Sequence, residues 1–446
     1  MSNESYSQIP DTVLSGLDGH LFDRIGPVTE QMSATVTLSP ALARRWVSLI
    51  ETRHAWCQQR GARYFCLVTP AKEAIYPDKL PPWALLSADR AIVRLQAALT
   101  PEIRASVIYP AKLLIDGRAR EETYYTADTH WTDFAAYLVY RDLLEKMQLN
   151  QPGPIPESAL VRSSYRRMGD LGIKVTPERD ELVVGLAAPA DRPVRTVFAN
   201  STYNFGQVEV LETDLSNGPR GVIFRDSSGS FLLPFLATHF KRLVAVATDN
   251  VFYDLLRSEK PDIVITQLSE YTFCFPSRNG SETFHFPDDM PPIDFAAFSG
   301  VALPLVSQAV ATETDSIIAD LDFDRRPEPA WTEGESTEMV LKCRVPYSDC
   351  TLSLTVSPFV HLPVLPSQAV DIAINGAIVG SFVVTGERET LICSVPLACL
   401  YSGRILRIEL FHADAASPKD LGLGDDLREL GLQLHRLTIS PVTRQS

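Results

Sequence analysis

Residues 221–268 have the sequence GVIFRDSSGSFLLPFLATHFKRLVAVATDNVFYDLLRSEKPDIVITQL. Three short β-rich runs, GVIFRD, RLVAVAT and DIVITQL, alternate here with two helical segments, GSFLLPFLATHF and NVFYDLLRSE. Strands that alternate with helices through tight connections are typical of a parallel sheet covered by helices, and right-handed crossovers place such strands side by side. The pattern therefore predicts an α/β domain.

Outward from this stretch, the preceding sequence continues the alternation of helices and strands. Helical spacing of apolar residues predicts a helix over 39–61, and the apolar run RYFCLVT predicts a buried strand over 63–69. A helix over 87–99 and a short strand over 106–109 follow, and an amphipathic helix is predicted over 132–147. These elements extend the α/β domain toward the N-terminus.

The pattern changes after about residue 300. The acidic, proline-containing stretch 319–337 is typical of a linker, and residues 338–440 alternate short β-rich runs with turns. Asn375-Gly376 is a strong hairpin signal within this region. We therefore expect an α/β domain over 1–325 and an antiparallel β-sandwich of jelly-roll type over 326–446.

Charge and hydropathy exclude several classes of partner. The formal net charge is −14, from 41 Lys and Arg against 55 Asp and Glu, and such a surface repels phosphate backbones. We therefore expect no nucleic-acid partner. No stretch approaches 18 consecutive apolar residues, so no membrane span is predicted.

The N-terminal sequence MSNESYSQIPDTVLSG lacks the basic and apolar regions of a signal peptide, which predicts a cytoplasmic protein. The seven cysteines are odd in number and irregularly spaced, and they form no C-x-x-C pair. This pattern favours buried reduced thiols over a disulfide framework or a structural zinc site.

The first candidate site is Arg225-Asp226-Ser227-Ser228-Gly229, where a predicted strand meets a predicted helix. Ligands of parallel sheets bind at the carboxyl ends of the strands. A serine at that edge is placed for nucleophilic attack, and the N–H groups of the next helix, with Gly229 allowing a tight turn, can hold an oxyanion. The alternative is that Asp226, Ser227 and Ser228 only cap the helix.

The second candidate site is Asp128-Thr129-His130-Trp131-Thr132. In an extended segment, residues two apart point the same way, so Asp128, His130 and Thr132 would share one face. A carboxylate beside an imidazole fixes its tautomer and stabilises its protonated form, as a general base requires. One alternative is a structural histidine beside a helix cap. Another is that Asp128 and His130 are two ligands of a metal ion, but no other cluster in the sequence completes such a site. No metal or cofactor is therefore predicted.

Six segments in chain order resemble the alginate O-acetyltransferase (AlgX/AlgJ-like) family. They are GLDGHLF (16–22), LVTPAKEAIYPDKLP (67–81), YYTADTHWTDFAAY (124–137), GDLG (169–172), FRDSSGSFLLPFLATHF (224–240) and KPDIVITQLSE (260–270). The resemblance implies an SGNH hydrolase-like domain with three α/β/α layers and a parallel sheet. It also implies transfer or removal of acetyl groups on polysaccharide hydroxyls, with a carbohydrate acceptor and an acyl donor as partners.

Carried over residue by residue, the resemblance makes Ser227 the nucleophile, His130 the base and Asp128 the residue that orients it. The family's serine follows the Asp of its DS pair directly, which favours Ser227 over Ser228. The family motif has Gly where this chain has Arg225, a side chain that could narrow the site or change what it admits. The family also works outside the cytoplasm, so the resemblance implies a periplasmic location where the N-terminal sequence predicts a cytoplasmic one.

Several weaker candidates complete the prediction. Asn200 and Asn204 are either oxyanion donors or structural loop residues, and the loop role is favoured. Lys72 either neutralises an anionic ligand or is solvated, and Asp170 fits a turn or cap. In the C-terminal region, three residues could contact a glycan or simply pack: Trp331, Phe359 and His361. The competing function is a catalytically silent glycan-binding or scaffold protein with the same fold.

Overall fold

The structure is a computed structural model that describes residues 6–24, 28–34, 37–200, 206–248, 250–274, 319–325, 329–342, 349–400 and 405–442. Its α-helices are α1 (Val28–Met32), α2 (Pro40–Gln58), α3 (Lys72–Ile75), α4 (Ala91–Ala98), α5 (Pro101–Ser106), α6 (Ala111–Gly117), α7 (Asp133–Lys146), α8 (Leu233–Leu236) and α9 (Tyr253–Glu259).

The strands fall into an N-terminal and a C-terminal set. The first set is β1 (Val13–Ser15), β2 (Leu21–Asp23), β3 (Arg63–Thr69), β4 (Val107–Ile108), β5 (Val161–Met168), β6 (Asp180–Ala187), β7 (Arg195–Ala199), β8 (Val208–Glu212), β9 (Arg220–Arg225), β10 (Arg242–Ala247) and β11 (Ile263–Ser269). The second set is β12 (Ala319–Asp322), β13 (Ala330–Glu333), β14 (Ser336–Lys342), β15 (Cys350–Pro358), β16 (Gln368–Ile374), β17 (Ala377–Val384), β18 (Glu389–Val395), β19 (Ile405–His412) and β20 (Leu430–Pro441).

Seven strands form the main sheet in the order β4-β3-β11-β9-β10-β8-β7. The run from β4 to β10 is parallel, with Ile265 of β11 between Phe65 of β3 and Ile223 of β9. Both faces of β9 and β11 are buried, which explains their near-continuous apolar sequences. The predicted α/β fold is thus confirmed, and β9 and β11 lie side by side at its centre.

Helices cover this sheet on both faces. Phe65 and Ile223 share one core with α7 and α8, through residues such as Phe134 and Phe235. The long helix α2 packs against β3 from outside that core, and Ser39 Oγ caps it by accepting from Leu42 N–H. The segment after Ser227 differs from the single predicted helix, because it breaks into a 3-10 turn, the short α8 and a second 3-10 turn.

Two antiparallel hairpins flank the sheet. β1 pairs with β2, and β5 pairs with β6. The end of β2 and the last residues of β5 both supply side chains to the candidate site, as described below. No helix among the described residues is both long and apolar enough to span a membrane.

The C-terminal strands form two antiparallel sheets. One has the order β12-β20-β15-β18, with β13 also on β20, and the other has the order β14-β19-β16-β17. Leu354 and Leu437 of the first sheet share a core with Ile372 and Ile408 of the second. This shared core is the packing of a β-sandwich, and it confirms the predicted C-terminal fold class.

The predicted linker over 319–337 is wrong for its described residues. Residues 319–322 form β12 and 330–333 form β13, and both pair with β20. Leu321 is buried while Asp320 pairs with Arg436 at 2.8 Å on the outer face. The sandwich strands therefore begin before residue 326, because the acidic residues here are the exposed half of short strands.

The predicted hairpin turn at Asn375-Gly376 joins β16 to β17. Both residues have positive φ, 47° and 80°, as a type I′ turn requires. The Asn375 side chain also accepts from Arg407 N–H and donates to Cys399 O. These bonds connect the turn to β19 and to the segment before it.

The chain divides into two compact units. The first comprises Met1–Val197, Val210–Val251 and Pro261–Phe286, and the second comprises Phe198–Glu209, Phe252–Lys260 and Pro287–Ser446. The cysteines whose side chains are described are all buried free thiols: Cys57, Cys66, Cys350, Cys393 and Cys399.

Candidate functional site

Ser227 follows β9 at the carboxyl edge of the main sheet, and its side chain is exposed. Asp226 fixes the turn on which it stands. One carboxylate oxygen of Asp226 accepts from Ser228 N–H and from Gln267 Nε2, both at 2.8 Å, and the other accepts from Ser269 Oγ at 2.6 Å. The end of β11 therefore holds the turn that presents Ser227.

Gly229 allows β11 to approach this turn closely. A Cβ at Gly229 would lie 2.5 Å from Gln267 Oε1 and 2.6 Å from Arg225 Cβ, so no other residue fits without displacing them. Gln267 Oε1 accepts from Asp226 N–H at 3.0 Å, and a shift of Gln267 would disturb the Ser227 turn. Arg225 is 2% exposed and does not line the pocket at Ser227, contrary to the expectation that it narrows the site.

His130 lies directly against Ser227. Its Nε2 is 2.7 Å from Ser227 Oγ, and its Nδ1 is 2.6 Å from Asp128 Oδ1. Asp128 Oδ1 also accepts from His130 N–H at 2.9 Å. The structure thus brings the three predicted residues into one chain of hydrogen bonds.

The segment that carries Asp128 and His130 is a bend rather than the extended segment assumed from the sequence. The Asp128 carboxylate closes a turn on the N–H two residues later, which is why its side chain reaches the imidazole. Trp131 Nε1 donates to Ser228 O at 3.0 Å and joins this bend to the Ser227 turn. Thr132 caps α7, accepting from Ala135 N–H.

Arg167 and Asp170 complete the surroundings of Asp128. Arg167, near the end of β5, donates from Nη2 and Nε to Asp128 Oδ2 at 2.8 and 3.2 Å. Asp170 accepts from Thr129 N–H at 2.8 Å and from Thr129 Oγ1 at 2.5 Å. Its carboxylate lies 3.8 Å from His130 Nδ1.

These contacts shift the pKa values of Asp128 and His130. Burial disfavours the charge on Asp128, but hydrogen bonds from His130 and the charges of His130 and Arg167 hold its pKa below the usual value. Burial lowers the pKa of His130, yet the hydrogen bond that His130 donates to Asp128 and the carboxylates around the ring raise that pKa above 6.5 overall. With Asp128 ionised, His130 Nδ1–H donates to it and Nε2 is left to accept from Ser227.

A small pocket opens at Ser227. Its walls come from the end of β2, the ends of β3 and β11, and the start of α3. Its lining residues are Asp23, Val28, Thr69, Pro70, Ala71, Lys72, Glu73, Thr129, His130, Ser227, Ser228, Ser269 and Tyr271. The ring of Phe231 lies beside His130, with centroids 5.6 Å apart.

Lys72 does not act as predicted. It is 4% exposed, and its ammonium group donates to the carbonyls of Leu21, Thr126 and Asp128 at 2.6, 2.9 and 3.1 Å. An ammonium group has three protons, so none remains for an anionic ligand. Lys72 instead joins β2 to the bend that carries Asp128 and His130.

The other weak candidates have structural contacts. Asn200 donates its two amide protons to Gly206 O and Asn375 O at 3.0 and 2.7 Å, so it has none for an oxyanion. Asn204 lies outside the described residues. Ser228 lines the pocket, but its N–H bonds to Asp226. In the sandwich, Trp331 and Phe359 pack edge to face with centroids 5.9 Å apart, as their packing alternative predicted.

Asp170 also bears on whether Asp128 and His130 could bind a metal ion. Asp128, His130 and Asp170 offer ligand atoms within 4.8 Å of one another, so a third residue does complete the pair. However, the Arg167 guanidinium already bonds Asp128 Oδ2, and a cation there would have to displace it. The donor set therefore fits a hydrogen-bonded histidine better than a metal ion.

Sequence reasoning missed Arg167, Gln267 and Ser269 and assigned Asp170 only a turn role. The sequence carries one local signal for Asp170, which is the Gly169 before it. The structure explains this glycine, because a Cβ there would lie 2.1 Å from the carbonyl oxygen of Ala127. Gln267 and Ser269 are polar residues at the end of an apolar strand, which also marks a sheet edge. For Arg167, in a strand of exposed residues, no such signal exists.

The parallel sheet is that of an SGNH hydrolase-like α/β fold, and the hydrogen-bonded residues Ser227, His130 and Asp128 lie at its carboxyl edge. Residues 13–194 match the family ALGX, described as the SGNH hydrolase-like domain of acetyltransferase AlgX, which confirms the resemblance found in the sequence. Asp128 and His130 lie within the matched residues, and Ser227 lies beyond them. No curated protein matches the sequence.

Several solved structures are similar at low identity. PatB1 of Bacillus cereus is 14% identical over 60% of this chain and 98% of its own, with a TM-score of 0.48. The O-acetyltransferase domain of Pseudomonas putida AlgJ is 15% identical over 59% and 92%, with a TM-score of 0.41. Pseudomonas aeruginosa AlgX is 13% identical over 96% and 93%, with a TM-score of 0.38.

Proposed function

We propose that this chain is an SGNH-type O-acetyltransferase or acetylesterase that acts on carbohydrate hydroxyls through an acyl-enzyme on Ser227. The observation that carries the proposal is the chain of short contacts from Ser227 Oγ to His130 Nε2 and from His130 Nδ1 to Asp128. Nucleophile, base and orienting carboxylate are the minimum set for covalent acyl chemistry. The family match over residues 13–194 supports acetyl as the group that is transferred.

In the first half of the reaction, Ser227 Oγ attacks the carbonyl carbon of the acyl donor while its proton passes to His130 Nε2. The imidazolium is stabilised by the Asp128 carboxylate at 2.6 Å. When the tetrahedral intermediate collapses, the bond to the donor's leaving oxygen breaks. That oxygen takes the proton from His130 Nε2, and the acetyl group remains on Ser227 as an ester.

In the second half, a hydroxyl of the acceptor enters the pocket. His130 Nε2 takes the proton of that hydroxyl as its oxygen attacks the acyl carbon, and then returns the proton to Ser227 Oγ as the serine leaves. A sugar hydroxyl gives an acetylated sugar, and water gives acetate. The same residues therefore serve a transferase and an esterase, which differ only in the attacking molecule.

The oxyanion needs N–H donors at the Ser227 turn. The first hydrogen bond of the following 3-10 turn runs from Ser230 N–H to Ser227 O, so earlier N–H groups lie outside the helical ladder. Because Ser228 N–H bonds to Asp226, we assign the oxyanion to the N–H groups of Ser227 and Gly229.

The lining of the pocket favours a polar acceptor over a lipid. A lipid-processing site would surround the serine with a wide apolar surface, whereas hydroxyl and carboxyl side chains make up much of the wall here, among them Thr69, Thr129 and Ser269. The cytoplasmic location stays a prediction.

The test is to measure cleavage of an acetyl test ester and covalent labelling by a serine-directed sulfonyl fluoride. Ser227→Ala and His130→Ala should each lower turnover by a factor on the order of 10⁴ or more without unfolding the protein, and Ser227→Ala should abolish labelling. Ser228→Ala is the matched control and should be milder. Full turnover in Ser227→Ala would remove the serine from this role, and no turnover or labelling in the wild type would favour the catalytically silent glycan-binding alternative.

A further inference from the structure

We propose that the loop over 81–90 forms a flanking subsite beside the Ser227 pocket, in which the exposed ring of Trp83 stacks on the sugar unit next to the one that reacts. This inference rests on the proposed function, because it concerns how the same acceptor is held.

The ring of Trp83 is open to solvent. Trp83 is 62% exposed, whereas Trp46 and Trp131 are buried. A tryptophan is the largest side chain that a protein can bury, and its ring offers a flat apolar face with one polar N–H at its edge. An aromatic ring left open beside a pocket is therefore a candidate contact for a ligand.

The loop that carries Trp83 is held in place on both sides of the ring. Ala84 N–H donates to Pro81 O at 2.9 Å, which puts Trp83 in the centre of a β-turn. Ser87 N–H donates to Met32 O at 2.7 Å, at the end of α1. A ring on a fixed loop loses little conformational entropy when it binds a ligand, so the exposed position is suited to recognition.

The side chain of Leu86 brings this loop to the rim of the Ser227 pocket. It packs against a small apolar cluster that contains Val28 and Ala71, and both of these residues line the pocket. Trp83 is three residues before Leu86 in the same loop. The open ring therefore lies close to the wall of the pocket but outside it.

Arg24 connects Trp83 to the same pocket from a second direction. Its guanidinium carbon lies 5.9 Å from the centroid of the Trp83 ring. Arg24 directly follows Asp23, which lines the pocket at the end of β2. At this distance the guanidinium is at the outer limit of a cation–π contact, so it leaves most of the ring open.

The pair of Trp83 and Arg24 fits a sugar ring. One face of a pyranose consists of C–H groups that pack on a flat aromatic ring, and its edge carries oxygens that accept from the N–H groups of a guanidinium. When one unit of a glycan chain places its hydroxyl at Ser227, the next unit lies at the rim. Binding that unit orients the acceptor without touching the reacting atoms.

The experiment uses two acceptors, a β-1,4-glucan hexamer and a polyuronate hexamer, each compared with its own monosaccharide and with an activated acetyl ester as donor. In the wild type we expect a higher kcat/KM for at least one hexamer than for its monosaccharide. Trp83→Ala should lower kcat/KM for that hexamer by about 3- to 10-fold and leave the values for the monosaccharide and the test ester unchanged. Trp83→Tyr, which keeps an aromatic face, should recover part of the loss.

Leu85→Ala is the matched control. Leu85 is 73% exposed on the same loop but has no aromatic face, so its loss should leave the hexamer unaffected. Equal losses in Leu85→Ala and Trp83→Ala would indicate a general apolar surface and overturn the stacking subsite. The subsite is also wrong if neither hexamer exceeds its monosaccharide in the wild type, or if Trp83→Ala slows hexamer and monosaccharide alike.

Calorimetric titration of the hexamers into Ser227→Ala separates the subsite from the proposed function, because this variant binds without reacting. Adding Trp83→Ala to it should weaken binding several-fold, and equal binding by the two proteins would overturn the subsite. If the wild type neither cleaves the test ester nor is labelled at Ser227, the proposed function fails. Binding that still depends on Trp83 would then support the glycan site on its own.

Discussion

Asp128 receives hydrogen bonds on both of its carboxylate oxygens. Oδ1 bonds the imidazole and the main-chain N–H of His130, and Oδ2 bonds Arg167. The guanidinium also lies over the Tyr125 ring, 4.8 Å from its centroid, which fixes its plane. We therefore assign Arg167 as a positioning residue that acts on His130 through Asp128.

Replacing Arg167 should change the pH profile as well as the rate. His130 must be neutral to accept the serine proton, so activity should fall with acid through its raised pKa, above 6.5. Without the positive charge of Arg167 the imidazolium is stabilised further, so in Arg167→Met this acidic limb should move to higher pH. The Asp128 carboxylate would also lose its hydrogen bonds to Arg167 and hold His130 less firmly, which should lower kcat by about 10- to 100-fold.

The measurement is kcat/KM for the test ester against pH, with Arg167→Lys expected to recover part of the loss. Arg166→Met is the matched control, because Arg166 is the neighbouring residue but pairs with the exposed Asp180. An acidic limb that stays in place in Arg167→Met, whatever the rate, would contradict the positioning role.

At the scale of elements, the site depends on how closely β11 approaches the end of β9. Gly229→Ala places a methyl group within 2.5 Å of Gln267 Oε1, which must move and release Asp226 N–H. We expect at least a tenfold loss of turnover, because small displacements of a nucleophile are costly, with the fold retained. Ser230→Ala in the same 3-10 turn is the control, and comparable losses in both variants would argue against the steric explanation.

Elements with a local signal were predicted from sequence, and contacts between distant elements were not. The helices predicted over 39–61 and 132–147, the strand RYFCLVT and the Asn375-Gly376 turn each depend on adjacent residues. By contrast, Arg167 meets Asp128 only because of how β5 lies against the bend, which neighbouring residues do not reveal. β12 was missed because four residues are too few to show alternation.

At the scale of the whole molecule, the sandwich core consists almost entirely of residues from 321 to 439. A chain of residues 319–446 should therefore fold alone and unfold cooperatively in urea, with a circular dichroism spectrum rich in β-structure. Ile408→Ala, at a fully buried position, should lower its free energy of unfolding by about 2–5 kcal/mol. A spectrum without β-structure, or unfolding without a transition, would contradict this independence.

The hydrogen bonds from β11 to the Ser227 turn also determine when the site can assemble during protein synthesis. During synthesis a domain generally folds as a unit, and an N-terminal domain folds before those that follow it. Ser227, His130 and Asp128 all emerge before Gln267 and Ser269, whose side chains anchor Asp226. A nascent chain that stops short of residue 269 thus has all three reactive groups but lacks the strand that aligns them. On the function proposed above, we therefore expect the nascent protein to become reactive only once that strand has been translated and inserted into the centre of the sheet.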